Sequence, residues 1–314
     1  MGTKPDSIVV TGWGMVTPLG VGVDQTWKTL MGGGKPTYNL EGPEWKAFKN
    51  PKAARNVSAQ IPNDLLERDR SLQLGVVAAE EAWNHAGLSK VQKDRIATTF
   101  SSSKGGMMSL LSANSNPSSS RDFLADYFPH SAGQLLKQRL GFCGPTFSVS
   151  SACSTGLGSL AGAARLLGDG ECDAVLAGST ESSIHPLIYA GFNNMGLFSE
   201  KDGGPAPFDL ERDGFLMGEG AALMVLERED SARLRKAPIL VRLSGWALGA
   251  DAYEALEMEP QGRSIVPVIE KALRMAGLKP SDIGYINAHG TGTRINDQWN
   301  PGPCLRYLAG PKPG

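Results

Sequence analysis

The chain has 314 residues, of which 41% are hydrophobic and 20% charged, so it can bury a large core as one or two α/β domains. Its 31 lysines and arginines nearly balance 32 aspartates and glutamates, and the net charge of −1 argues against a nucleic-acid-binding protein. No apolar run approaches the ~20 residues that span a membrane, and the first residues lack the apolar region of a signal peptide. These features predict a cytoplasmic protein without a membrane span.

The amino-terminal part of the chain predicts one strand and one helix before a polar segment. Ser7–Gly14 (SIVVTGWG) has the apolar run of a buried strand that ends in a glycine turn. Gly12 and Gly14 match two positions of a dinucleotide fingerprint, but the third glycine is missing, so a tight turn is the better interpretation. Ser71–Leu88 predicts an amphipathic helix closed by a glycine, and the polar residues 101–120 predict a loop.

The rest of the chain alternates predicted strands and helices. Gly144–Ala152 and Cys172–Ser179 predict two strands joined by a helix over Ser154–Gly168, which is small or apolar on nearly all sides and so must be buried. The later predictions are strands over Ala221–Arg228 and Pro238–Leu248, a helix over Ser264–Leu278, and a strand over Asp282–Thr293 that ends in a glycine-rich loop. This alternation indicates an α/β fold.

The cysteines have to be interpreted singly. There are four, with no C-x-x-C pair and only four histidines, so we expect neither a structural zinc site nor another metal site nor a disulfide framework. Cys143 and Cys172 are interpreted as inert core cysteines, and Cys304 lies near the end of the chain. Cys153 differs because its neighbours are all small.

Cys153 is predicted to be a nucleophile. It is expected at the first residue of the buried helix, where unpaired backbone N–H groups and the helix dipole favour a thiolate. Ser151, Ala152, Ser154 and Gly156 leave room for a substrate carbonyl, and the same N–H groups could hold the oxyanion formed on attack. The alternative is an inert core cysteine.

A nucleophilic cysteine needs a polar companion, and the best candidate is His289. It lies in "NAHGTGT", at the end of a predicted strand and in a loop that Gly290 and Gly292 make pliable. The 136 positions between Cys153 and His289 (289 − 153) do not prevent their meeting in space. His130 and His185 lie in no comparable motif.

Four motifs carry a resemblance to a known family. "VVTGWGMVTPLG", "VSSACSTG", "PFDLERDGFLMGEGA" (Pro207–Ala221) and "NAHGTGT" resemble, in the same order, the elongating β-ketoacyl-acyl-carrier-protein synthases, and the match runs from about Ile8 to Asp297. The resemblance implies a thiolase-like α/β fold of five alternating layers (αβαβα) built from two related halves. It also implies a homodimer.

The resemblance further implies the chemistry and its residues. Cys153 would accept an acyl chain from a carrier-protein or coenzyme A thioester. A malonyl thioester would then lose carbon dioxide and attack the acyl group to give a 3-ketoacyl thioester. His289 matches one of two histidines that polarise the malonyl thioester, and Thr291 and Thr293 match hydroxyls that touch the phosphopantetheine arm. Because the substrate carries that arm, the protein itself would need no cofactor. Residues Asp213, Gly214 and Glu219 are interpreted as scaffold.

The sequence departs from the family pattern after Asp297. The family's second histidine in "G-H-x-x-G-A", the lysine strand before it and a glycine-rich loop with a phenylalanine are not found, and 298–314 is rich in proline and glycine. We therefore predict three parts: residues 1–236, a complete first half; residues 237–297, a partial second half; and residues 298–314, an atypical tail. A truncation or frameshift would explain this pattern, and the missing histidine segment argues against the condensation step.

Three functions compete. The leading one is a condensing acyltransferase of fatty-acid or polyketide synthesis, with acyl carrier protein and acyl and malonyl thioesters as partners. The second is a non-catalytic or regulatory partner of a full-length synthase, or a truncated gene product. The third is a thiolase-like acyl transfer without condensation. A basic docking patch for the acidic carrier could lie in either of two segments, which contain Arg68 and Arg70, or Arg233, Arg235 and Lys236.

Overall fold

The chain folds into two compact units. The computed structural model describes residues 7–34, 37–56, 58–115, 123–201, 204–254, 259 and 263–299. The first unit comprises Met1–His185 and Gly218–Leu243, and the second comprises Pro186–Met217 and Ser244–Gly314. Residues 186–217 thus belong to the second unit, although the sequence-based division places them in the first part; that division stays a prediction.

The first unit is built on a mixed sheet. Its strands are β1 (Ile8–Thr17), β2 (Gly20–Val21), β5 (Ile96–Thr98), β6 (Ala174–Ser182), β7 (Glu219–Arg228) and β8 (Val241–Leu243), and a separate hairpin contains β3 (Thr37–Asn39) and β4 (Lys52–Ala54). The order across the sheet is β2-β1-β7-β6-β5, and β8 pairs with β1. β7 is antiparallel to both β1 and β6, whereas β5 and β6 are parallel.

Helices cover both faces of this sheet. Those of the first unit are α1 (Val23–Met31), α2 (Arg70–Ala86), α3 (Met107–Ser115), α4 (Phe123–Tyr127), α5 (Ser131–Leu140), α6 (Thr155–Gly168) and α8 (Glu229–Leu234). Successive residues of a strand point to opposite faces, so Leu176 packs in the buried cluster with α2 and α5, and Val175 packs in the cluster with α6. The predicted helices that became α2 and α6 are confirmed, as are the predicted strands that became β6 and β7.

The two glycines of the first strand do not form a turn. Gly12 and Gly14 lie inside β1, which pairs with β7 as far as Val16, so the predicted glycine turn is wrong. A Cβ atom on Gly12 would lie 2.6 Å from the Ala82 carbonyl oxygen, and one on Gly14 would lie 2.1 Å from the carbonyl oxygen of another α2 residue. The glycines are therefore needed because α2 packs directly on the backbone of β1.

Three other predicted elements differ from the structure. Met107–Ser115, predicted as loop, is the helix α3, and residues 116–120 lie outside the described residues. Gly144–Ala152 forms only a bridge, between Thr146 and Thr98, instead of a full strand. The strand predicted over Pro238–Leu248 shortens to β8, where its register with β1 ends.

The second unit contains helices and an irregular chain. Its helices are α7 (Pro186–Asn194), α9 (Ile265–Ala276) and α10 (Arg294–Trp299), and α9 confirms the predicted helix. The strand predicted over Asp282–Thr293 is wrong: residues 283–293 have no strand pairing, because the described part of this unit offers no neighbouring strand. Tyr285 is accordingly 80% exposed. Residues 300–314 of the predicted tail lie outside the described residues.

Across the described residues, no helix combines the length and the apolar character needed to cross a membrane.

Candidate active site

Cys153 lies on a sharp turn between the sheet and a buried helix. The turn is a single 3-10 turn over Ala152–Ser154, so Cys153 precedes α6 by two residues instead of being its first residue. The residue before it, Ala152, has a φ of 47°, a left-handed conformation that costs a non-glycine residue about 1–3 kcal/mol. Cys153 is exposed. This strained turn therefore presents the sulfur at the surface, at the amino-terminal end of a 14-residue helix.

Hydroxyl groups hold the strained turn in place. The buried Thr155 donates from Oγ1 to the Ala152 carbonyl oxygen at 2.8 Å and accepts from the Ser151 backbone N–H at 3.0 Å. Ser154 donates from Oγ to the Ser151 carbonyl oxygen at 2.8 Å. The backbone on both sides of Cys153 is thus fixed by side chains of the same turn.

The small residues around Cys153 have two different uses. Ser151, Ala152 and Ser154 are exposed, as expected for a place where a substrate carbonyl approaches. Gly156 instead serves packing, because a Cβ atom there would lie 3.0 Å from the Ser179 hydroxyl oxygen on β6. The prediction that Gly156 also leaves room for a substrate carbonyl stays a prediction.

The other cysteines differ in environment. Cys172 is fully buried, which confirms its interpretation as an inert core residue, and burial raises the pKa of its thiol to about 12. Cys143 is exposed, so its interpretation as a core residue is wrong. It follows a helix end, and its backbone N–H donates to the Lys93 carbonyl oxygen at 2.9 Å. Cys304 lies outside the described residues.

The difference between the buried and exposed thiols predicts selective alkylation. Because only the thiolate reacts, we expect iodoacetamide at pH 8 to modify Cys153 and Cys143 while Cys172 stays unmodified until the chain is unfolded. Peptide mass spectrometry of native and urea-unfolded samples measures this. Modification of Cys172 in the native protein at a rate similar to Cys143 would contradict the buried position.

The second unit carries His289, Thr291 and Thr293 on one loop. His289 is exposed, and the two threonine hydroxyl oxygens lie 2.9 Å apart, so the loop brings them together. Gly290 and Gly292 have φ values of 51° and 80°, which glycine adopts without strain. A residue with a side chain would be strained in either backbone conformation, so this path of the loop depends on the two glycines.

A buried carboxylate that the sequence analysis missed anchors this loop. Asp297, in α10, is 5% exposed. Its Oδ2 accepts the backbone N–H of Phe208 at 2.7 Å and that of Gly292 at 3.1 Å, and its Oδ1 accepts the Asn296 amide at 2.9 Å. One carboxylate therefore ties the "PFDLERDGF" segment to the "HGTGT" loop. Such charge-assisted bonds are the stronger kind.

The "PFDLERDGF" segment packs directly on the loop. The Phe208 ring lies 3.0 Å from the place where a Cβ atom on Gly290 would be, and the Gly214 carbonyl oxygen lies 2.5 Å from the equivalent place on Gly292. Arg212 donates from Nη2 to the Arg294 carbonyl oxygen at 3.1 Å. This motif is interpreted as scaffold, and part of it packs against the loop that carries His289 and so shapes that loop.

Asp213 and Glu219, two of the residues interpreted as scaffold, lie in different units. Asp213 accepts from the Ser199 hydroxyl at 2.6 Å; although burial opposes it, this bond and the Glu200 backbone N–H hold the pKa of Asp213 below its usual range. Glu219 belongs to the first unit, where its buried carboxylate accepts the Ser182 hydroxyl at 2.8 Å.

Both candidate docking segments are largely neutralised by internal ion pairs. The pairs are Arg68 with Asp126 (2.6 Å), Arg70 with Glu219 (3.2 Å), Arg233 with Glu229 (2.6 Å) and Arg235 with Glu227 (2.6 Å). Three of the four carboxylates are buried, so these arginines serve the fold. Lys236 is exposed. Most of the positive charge in the two segments is therefore paired within the fold, and the choice between them as a docking patch stays a prediction.

Two of the remaining histidines belong to the first unit. His130 stacks on Phe128, and burial lowers the pKa of His185. Within the described ranges, no three histidine, cysteine, aspartate or glutamate side chains are arranged to hold a metal ion.

Solved structures first define the class of fold. A type II PKS ketosynthase, solved in complex with its acyl carrier protein and bound to the hexaketide, matches 98% of this chain and 78% of its own chain with a TM-score of 0.86 and 26% identity. A ketosynthase in complex with its chain length factor from Xenorhabdus doucetiae matches 98% and 78% with a TM-score of 0.81 and 27% identity. The fold is therefore thiolase-like, as the motifs imply.

Sequence comparison then gives the family. The model "Beta-ketoacyl synthase, N-terminal domain" matches residues 5–232, and "Beta-ketoacyl synthase, C-terminal domain" matches residues 240–300. The 3-oxoacyl-[acyl-carrier-protein] synthase 2 of Synechocystis sp. is 34% identical over 311 residues, which covers 92% of this chain and 74% of the relative. This chain belongs to the beta-ketoacyl synthase family.

Proposed function

We propose that this protein is an acyltransferase of the 3-oxoacyl-[acyl-carrier-protein] synthase type. The observation that supports it most is the turn around Cys153, where a strained Ala152 and a buried Thr155 hold an exposed sulfur at the start of α6. Strain of this kind persists only where the surrounding contacts impose it, and it clusters at functional sites.

In the proposed first step, the Cys153 thiolate attacks the carbonyl carbon of an acyl thioester. A new carbon–sulfur bond forms, the bond to the donor's sulfur breaks, and the departing thiolate takes up a proton equivalent to the one that Cys153 released. The backbone N–H groups at the start of α6 would stabilise the oxyanion of the intermediate. The helix dipole favours the thiolate form at the same place.

A second, condensation step would use His289 to polarise a malonyl thioester: carbon dioxide leaves, the resulting carbanion attacks the acyl carbonyl carbon, a carbon–carbon bond forms and the bond to the Cys153 sulfur breaks. The second histidine of the family pattern is not found in this sequence, so acyl transfer to Cys153 is the activity that we propose, and condensation stays a prediction. Thr291 and Thr293, whose hydroxyls lie side by side, would bind the phosphopantetheine arm that the substrate carries. The protein would then need no cofactor of its own. The two ketosynthases named above were solved in complex with an acyl carrier protein or a chain length factor, and we propose an acyl carrier protein and a second copy of this chain as partners.

Three further predictions accompany this proposal. The departure from the family pattern after Asp297 would follow from a frameshift, and reading the downstream DNA in all frames checks it: a "G-H-x-x-G-A" segment supports a frameshift, and its absence contradicts one. Placement in the cytoplasm and the three-part division of the chain also stay predictions.

The experiment that tests the proposed function is intact-mass analysis after exposure to an acyl-carrier-protein thioester. We expect one acyl adduct, which peptide mapping assigns to Cys153 and which Cys153→Ala removes. Cys143→Ala is the matched control, since Cys143 is also exposed, and it should keep the adduct. A folded chain that takes no acyl group would contradict the proposal and favour a non-catalytic partner of a full-length synthase.

A further inference from the structure

Three parallel stretches of chain end at the same edge of the first unit's sheet as Cys153. The stretch before Cys153 runs beside the continuation of β5, where Ser101 donates from Oγ to the Val149 carbonyl oxygen at 2.6 Å. That continuation runs beside β6, through a parallel bridge between Ser101 and Ser179. The carboxyl ends of neighbouring parallel strands are where α/β folds bind their ligands.

A charged pair occupies this edge. Glu181, near the end of β6, accepts from Lys104 Nζ at 3.2 Å and from the Ser183 hydroxyl at 2.5 Å, and also accepts from the Ser103 hydroxyl. The Lys104 and Glu181 side chains are 33% and 29% exposed, so a molecule at this edge can reach both.

The charged pair is tied to the cysteine turn through Ser103. The Ser103 carbonyl oxygen accepts from the Ser150 hydroxyl at 3.0 Å, and Ser150 lies three positions before Cys153. On β6, Glu181 lies two positions after Ser179, and both therefore point to the same face; Ser179 is the residue against which the first turn of α6 packs. The charged pair and Cys153 thus share one face and one edge.

This arrangement disfavours a plain hydrocarbon chain. An alkyl group laid over the pair would remove water from Lys104 and Glu181 and give no hydrogen bond in return, which is costly for charged groups. The ammonium group of Lys104 has three donors, and two of them go to Glu181 and Ser103, so one can serve a ligand oxygen. A free carboxylate on the ligand would meet Glu181, so the favoured ligand is polar and neutral.

We propose that Lys104, paired with Glu181, selects acyl groups that carry hydroxyl or carbonyl oxygens along the chain over fully reduced acyl groups of the same length. The proposal rests on the proposed function, because it concerns the acyl group that Cys153 accepts. Lys104 is then a specificity-determining residue. Glu181 is a positioning residue, since it holds the lysine through the ion pair.

The test is a competition between acyl donors matched in length. Octanoyl, 3-hydroxyoctanoyl and 5-hydroxyoctanoyl pantetheine thioesters are offered together, and the adducts on Cys153 are counted by intact mass. We expect the wild-type chain to favour at least one hydroxylated donor about 10-fold, consistent with one hydrogen bond to a charged group. We expect Lys104→Leu to bring the ratio to 1 or below and Lys104→Arg to preserve the preference.

Two controls distinguish loss of the Lys104 hydrogen-bond donor from loss of the folded structure. Lys104→Met retains the length of the side chain, and should lose the preference as Lys104→Leu does. Lys201→Leu removes the lysine of another Lys–Glu pair, in the second unit, and should leave the ratio unchanged. The rate with octanoyl donor shows that each variant is folded and reactive.

Each outcome is decisive. Equal use of the three donors, or a preference for octanoyl, by a wild-type chain that is acylated on Cys153 would overturn the role of Lys104 while the proposed function stands. A preference that survives both Lys104→Leu and Lys104→Met would do the same. A wild-type chain that accepts none of these donors and no carrier-protein thioester would overturn the proposed function, and this inference with it.

Discussion

Replacing Gly14 by alanine should lower the free energy of unfolding by about 3 kcal/mol, the upper end of the usual range for overpacking. A Cβ atom at this position would lie 2.1 Å from the Ala78 carbonyl oxygen and 2.7 Å from the Ala82 backbone nitrogen. Both are backbone atoms of α2, which packs against β1, β6 and β7, so the whole helix would have to move. Urea unfolding monitored by circular dichroism measures the loss.

The matched control for this prediction is Gly168→Ala. Gly168 is the last residue of α6, and a Cβ atom there would have no atom within 4 Å. Because alanine is the better helix former, we expect this variant to be as stable as the wild type or slightly more stable. A Gly14→Ala protein that unfolds at the same urea concentration as Gly168→Ala would show that α2 and β1 are not in direct backbone contact.

Helices whose signals are local could be predicted from the sequence. For α2, the apolar period, the Asp69 cap and the left-handed Gly87, with a φ of 62°, all lie within the segment itself. The same holds for α9, which ends at the left-handed Gly277. Local signals suffice here because a helix forms its backbone hydrogen bonds within its own segment.

Elements that depend on a distant partner could not be predicted. Asp69 stabilises the amino-terminal end of α3, because its Oδ2 accepts the Ser109 backbone N–H at 2.9 Å. The polar sequence of α3 does not reveal this distant hydrogen-bond partner. The opposite error occurred at 282–293, a segment predicted as a strand: within the described part of the chain, no strand pairs with it. A strand is completed by its neighbour, and the neighbour is not encoded in the segment.

The features of the candidate site likewise fall into those that the local sequence reveals and those that depend on the fold. Cys153 could be singled out because small residues, a turn and a helix start are adjacent in the sequence. The strained backbone at Ala152 and its hydrogen bond from the Thr155 hydroxyl depend on the path of the backbone, which the amino-acid sequence does not show. Asp297 was missed for a further reason: its partner Phe208 lies 89 positions away, and only the fold makes them neighbours.

Replacing Asp297 by alanine should therefore destabilise the second unit and release the loop that carries His289. The change leaves the backbone N–H groups of Phe208 and Gly292 without this acceptor. An unsatisfied buried donor costs about 1–3 kcal/mol, so we expect a loss of about 2–4 kcal/mol for the two together. Asp297→Asn keeps one acceptor oxygen and the shape of the side chain, and should lose about half as much.

Hydrogen exchange followed by mass spectrometry distinguishes loss of this anchor from general destabilisation. In Asp297→Ala, peptides that contain Gly292 and Phe208 should exchange faster, while those from α2 in the first unit should keep their protection. If Thr291 and Thr293 bind the phosphopantetheine arm as proposed, more carrier-protein thioester should be needed for half-maximal acylation of Cys153, with little change in the saturated rate. Asp169→Ala, which removes an exposed carboxylate after α6, is the control and should alter neither measurement. Unchanged protection of Gly292 in Asp297→Ala would mean that the loop is held by the glycines and the packing of Phe208 alone, and that the carboxylate is not its anchor.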